Sequence, residues 1–163
     1  MGEIKKKGLS PFNTTFELGV RMVYLLSALG SRGADLQKLI LLDYAVIYSE
    51  DLGGPASLHT PVPFRGSEIY SRRALIQAAL HLMASKGLIS VNISDDGVSY
   101  VPGEQSRVLV ASMASNYARR LAERCAWVAE TFGVADSTSL TVDFIARGQR
   151  WGAEFESEMI RAE

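Results

Sequence analysis

The chain has 163 residues with a formal net charge of −1, and hydrophobic residues make up 47% of it. That length suits one domain with extensions, and its apolar content is ample for a core. A near-zero charge excludes a global positive field for nucleic acid or anionic membrane. The single cysteine, Cys125, excludes an internal disulfide framework and a multi-cysteine metal site.

The start, MGEIKKKGLSPF, is basic but lacks the apolar run of a signal peptide. Residues 1–13 are expected to form a flexible arm, with Lys5, Lys6 and Lys7 as candidate phosphate contacts. Thr14 followed by Glu17 fits a capping box and predicts a first helix up to Leu29. After a Gly30–Gly33 loop, Asp35 caps a second predicted helix with Leu36, Leu39, Ile40, Val46 and Ile47 inside. No apolar stretch reaches the ~18 residues of a membrane span, since Asp43 interrupts Leu39–Ile47. A soluble cytoplasmic protein is expected.

Residues 51–70 read DLGGPASLHTPVPFRGSEIY, with three prolines and three glycines. Two readings stay open: a partner-contacting loop, or a rigid connector whose prolines lower the entropy lost on ordering. From Ser71 a helix is predicted to Lys86, with polar Arg73, Gln77, His81 and Ser85 on a stripe. Leu75, Ala78, Ala79, Leu82 and Met83 are the expected buried residues. Gly87 stops it by taking a left-handed conformation. The period then falls to two: Ile89, Val91 and Ile93 share one strand face, Asp96-Gly97 turns the chain, and Val98 and Tyr100 return it.

A long helix of about 40 Å is predicted over 104–132, at 1.5 Å per residue. Its seam is Val110, Ala114, Tyr117, Leu121, Cys125, Val128 and Phe132. Asp136–Ser139 offers caps for a last helix carrying Leu140, Phe144, Gly148, Trp151, Phe155 and Met159 on one stripe. The fold class is thus mainly α with a small β-hairpin. A winged-helix-like domain over 14–103 contains the Pro/Gly loop, and long C-terminal helices follow over 104–163.

Catalysis has little support. Two histidines, His59 and His81, show no metal-ligand spacing, and Cys125 sits in an amphipathic seam rather than an electropositive setting. Gly53-Gly54 lacks the G-K-[ST] of a phosphate loop. We expect no enzyme activity, no cofactor and no metal. Arg72 and Arg73 open the helix that would enter a DNA groove, which makes them candidate DNA contacts. Against base reading stand the roughly twenty residues before that helix, where a helix-turn-helix has about 3–4, and the acidic Asp95-Asp96 wing tip. Protein contact is favoured, with a stand-alone winged-helix DNA-binding regulator as the alternative.

The run Gly53-Gly54-Pro55-Ala56-Ser57-Leu58-His59 with Pro61-Val62-Pro63 resembles a bacterial family. Leu42-Asp43-Tyr44, Arg72-Arg73, Leu82-Met83, Lys86-Gly87-Leu88-Ile89, Gly97-Val98-Ser99-Tyr100, Trp127-Val128 and Phe132 extend the likeness. Together these resemble the middle component of ABC-three-component systems, which is similar in plan to the small subunit of Lamassu-type anti-phage complexes. The resemblance spans roughly Phe16 to Phe132 and departs at Ala56 and Thr60, where prolines are expected. It implies a non-catalytic accessory subunit beside an SMC-like ABC ATPase and a nuclease-like effector, with at most nonspecific DNA contact. The expected partner-binding residues are Gly53, Gly54, Pro55, Ser57, His59, Pro61, Trp151 and Phe155. A homodimer through the 104–160 helices stays open.

Overall fold

The computed structural model describes residues 14–62 and 65–148. The arm at 1–13, with Lys5, Lys6 and Lys7, lies outside the described residues, as do Trp151, Phe155 and Met159.

The centre is α1 (Thr15–Leu29). Thr14 caps it by accepting from the Glu17 N–H at 3.2 Å. Every residue from Leu18 to Leu26 is buried, so α1 is enclosed on all sides rather than amphipathic. A 3-10 turn over Gly30–Arg32 leads to α2 (Leu36–Ile47), whose Asp35 cap accepts from Lys38 N–H at 2.8 Å. It is buried from Lys38 to Ile47. A 3-10 turn (Ser49–Leu52), the Gly-Pro loop and the short α3 (Glu68–Ser71) then bring the chain to α4 (Arg73–Ser85).

On α4 the buried residues are Ile76, Ala79, Leu80 and Met83. This corrects the expected face: Leu75 and Ala78 are exposed. The helix is rolled so that this i, i+3, i+4, i+7 set meets α1, at a close crossing where a Cβ on Gly19 would collide with Met83. Gly87 does turn the chain in the left-handed region, at φ 72°.

Strands β1 (Ile89–Ser94) and β2 (Gly97–Pro102) pair antiparallel from Ser94↔Gly97 to Ile89↔Pro102. Ala34, between α1 and α2, adds a one-residue bridge to β2 through Tyr100, with N–H···O distances of 3.0 and 2.8 Å. The order helix, bridge, helix, helix, hairpin is winged-helix-like. It extends the usual plan by the long connection between α2 and α4.

The helix expected over 104–132 is two helices, α5 (Ser106–Ser112) and α6 (Asn116–Phe132). Met113 is extended, with ψ 117°, and Ser115 caps α6 by accepting from Ala118 N–H at 3.1 Å. A serine cap available mid-sequence outcompetes one continuous helix. Leu121, Cys125, Val128 and Phe132 are buried as the seam requires, but Ala114 falls in the break and is exposed. Helix α6 packs on α1 and α2, and α7 (Ser137–Gly148) adds Leu140 and Phe144 to the same core. No helix among the described residues is long and apolar enough to cross a membrane.

Candidate functional site

Arg21 on α1 and Asp43 on α2 are charged residues in the middle of otherwise apolar stretches. Arg21 donates to Asp43 from Nε and Nη2, both at 2.9 Å, a two-pronged pair with each residue no more than 2% exposed. Arg72, just before α4, adds a third bond to Asp43 Oδ2 at 3.2 Å. Burial disfavours the Asp43 charge, but Arg21 and then Arg72 outweigh it and hold the carboxyl below the usual carboxylate range. One carboxylate thus ties α1, α2 and the start of α4 together.

The Gly-Pro loop lies over this cluster and is fastened along its length. Gly53 takes a left-handed conformation, φ 76°, and its N–H and that of Gly54 bond Glu50 and Ser49 carbonyls at 3.1 and 3.0 Å. Gly54 lies so close to α6 that a Cβ would collide with the Trp127 indole. Ser49 Oγ donates to the Pro55 carbonyl at 2.8 Å. Ser57 and Glu50 form a reciprocal pair: the Glu50 N–H donates to Ser57 Oγ, and the Ser57 N–H to Glu50 Oε1, at 3.3 and 3.2 Å. From α6, Arg124 Nε donates to the Ala56 carbonyl at 2.7 Å; from α7, Arg147 Nη1 donates to the Leu52 carbonyl at 3.3 Å.

His59 completes the attachment. Its N–H bonds the Ile47 carbonyl at 3.1 Å, and its Nε2 lies 2.9 Å from the Tyr117 hydroxyl. Burial first, then the guanidinium of Arg21, pushes the imidazole down to about 4 despite Asp43 pulling the other way. The ring is therefore neutral at pH 7. Cys125, fully buried nearby, has its thiol pushed up by burial, so it packs as an apolar residue. Farther along, Asp51 accepts from Tyr44 Oη at 2.6 Å and from Arg65 Nε and Nη2 at 2.6 and 2.5 Å.

Of the residues proposed for partner contact, the structure brings Gly53, Gly54, Pro55, Ser57, His59 and Pro61 together on one ordered strap. Gly54, Ser57 and His59 face inward as fasteners, while Gly53, Pro55 and Pro61 are exposed. Of the candidate DNA contacts, Arg72 is only 8% exposed and is held by Asp43; Arg73 stays at the surface beside Gln37. The Arg21–Asp43 pair was not anticipated, though a single arginine in ELGVRMVYLL and a single aspartate in LILLDYAVI are its signal. Tyr117 was placed in a helical seam without its polar role. One surface cleft lies along α5, lined by residues such as Ser27, Val101, Pro102 and Val110.

The site and fold therefore define a class: a winged-helix-like helical domain with a strapped ionic core. The family is specific. Residues 11–154 match the model of the ABC-three component (ABC-3C) system Middle Component 2, and the chain belongs to that family. No curated protein and no solved structure matches it. As a middle component of a multi-component system it works with partners.

Proposed function

We propose that this protein is a non-catalytic accessory subunit that bridges an SMC-like ABC ATPase and a nuclease-like effector in a bacterial defence complex. The complex acts against phage or plasmids and is related in plan to Lamassu-type systems. The observation that carries this reading is membership in the middle-component family. The geometry supports it: titratable groups near the loop are neutral or internally paired, which suits a rigid docking body better than a reaction centre. The outer ridge of the strap, Gly53, Pro55 and Pro61, forms a partner surface; Trp151 and Phe155 remain candidate partner residues from the sequence alone. DNA contact is at most nonspecific, with Lys5, Lys6, Lys7 and Arg73 as its candidates. Burial of Arg72 counts against a stand-alone regulator, because it removes one of the two cations at the head of α4.

Co-expression with an SMC-like ATPase and an effector encoded beside a middle component tests this. The three proteins are expected to co-elute on size exclusion, and Pro55→Asp with Pro61→Asp to release one partner. Separate migration of all three overturns the reading. A sequence-specific, salt-dependent shift of one operator would put the regulator in its place.

A further inference from the structure

Among the described residues, strand β1 is an open edge. Tyr100 gives both its backbone groups to Ala34, so in the Val91↔Tyr100 pair neither residue bonds the other. The N–H and C=O of Val91, and by alternation those of Ile89 and Ile93, therefore point away from β2. Among the described residues, only β2 pairs with β1. Edge strands are normally protected by charge, proline or a bulge. β1 reads Ile-Ser-Val-Asn-Ile-Ser, with no charged residue and no proline, in an unbroken register. Its apolar face is bare toward the tip: Val91 is 46%, Ile93 78% and cross-strand Val98 47% exposed.

The strand is also self-complementary. Ser90-Val91-Asn92-Ile93-Ser94 has the same polar and apolar pattern read in either direction around Asn92. We propose that β1 pairs antiparallel with β1 of a second copy, about a twofold axis at Asn92, forming a continuous four-stranded sheet. In that register Val91 meets Ile93 of the other copy, and both are residues whose backbone groups face outward, so the hydrogen bonds close. The four apolar side chains form one patch on a single face. Asn92 meets Asn92 on the other face, at a non-bonded position with Cα atoms about 4.5 Å apart. No like charges oppose each other along the strand. The acidic tip, Asp95-Asp96, comes alongside the segment that carries Lys86 in the second copy. This interface goes beyond the accessory-subunit reading, and its failure leaves that reading intact.

Sedimentation equilibrium of the full chain from about 1 to about 100 µM tests it. The expected result is a monomer–dimer equilibrium reaching twice the 17.8 kDa chain mass. Val91→Lys with Ile93→Lys, both at exposed positions, places like charges opposite each other and is expected to raise Kd by 10-fold or more, roughly the cost of unfavourable cross-strand pairs. Val91→Glu with Ile93→Lys pairs opposite charges in this register alone and is expected to restore the dimer. Asn92→Cys is expected to cross-link on mild oxidation, since its spacing fits the roughly 4.4–6.8 Å of a disulfide, while Ser90→Cys is not. A wild-type monomer across the whole range, a dimer indifferent to the two lysines, or equal cross-linking of both cysteines overturns the proposal.

Discussion

The strap over α6 and the β-hairpin differ in where their polar groups go. In the strap, Ser49, Ser57, His59, Arg124 and Arg147 are turned inward, bonding backbone carbonyls and the side chains of Glu50 and Tyr117 near a buried Arg21–Asp43–Arg72 cluster. In the hairpin, serines and an asparagine face solvent and, among the described residues, nothing pairs with the outer backbone of β1. A motif of glycines, serine and a histidine looks like chemistry, yet here it is anchoring; an uncharged strand looks like filler, yet among the described residues its outer backbone groups have no strand partner. The residues that make a protein rigid and those that let it bind need not be the ones with reactive side chains.

The largest effect expected comes from the cluster. Asp43→Ala leaves two buried guanidiniums without their carboxylate and is expected to cost about 3–5 kcal/mol in urea denaturation. A much smaller loss would mean that water reaches the cluster and that the strap is not sealed. Next, Gly54→Ala forces the Trp127 ring away from the loop and is expected to cost about 1–3 kcal/mol, with a shift in Trp127 fluorescence. If Gly54→Ala were neutral, the strap would be loosely held and the contrast with the hairpin would weaken.

Much of this architecture was legible in the chain. Thr14, Asp35, Gly87 and the Asp96-Gly97 turn are local signals, and each marks the expected boundary because caps and turns are decided within a few residues. The face of α4 was not, since its stripe of polar residues every four positions left the remaining circumference undivided; only packing against α1 selects Ile76 and Leu80 over Leu75 and Ala78. The break at Met113–Ser115 was hidden by a seam whose period runs through it. The site was half readable. The Gly-Pro run announced itself by composition, but its fastening to Tyr117, Arg124 and Trp127 joins residues some sixty to seventy positions apart, which no local pattern encodes.

Acid separates the two regions as well. The imidazole of His59 titrates near 4 when folded and near 6.5 when unfolded, so between those values the unfolded chain binds more protons. Its contribution is complete above about 6.5 and is lost as the pH falls toward about 4. Asp43 acts lower: its depressed carboxyl contributes stability above about 3.9 that disappears as the pH falls through its folded value. Denaturation midpoints measured from pH 7 to 4 are expected to decline, and His59→Asn is expected to flatten the decline. An unchanged slope in that variant would show that the ring is solvated rather than held against Tyr117.

The smallest effect is the one that sharpens the contrast most. Ile93→Thr keeps a β-branched side chain and trims an apolar group that is 78% exposed, so the stability of the monomer is expected to move by no more than about 0.5 kcal/mol. If Ile93 were covered within its own chain, the same change would cost more, on the scale of a buried apolar group. Urea denaturation at a concentration too low for self-association distinguishes the two. A near-zero change means that the tip of the wing contributes nothing to its own fold. The apolar, uncharged outer half of β1, with Val91 and Ile93 exposed and no folding benefit at its tip, is then explained by what it pairs with.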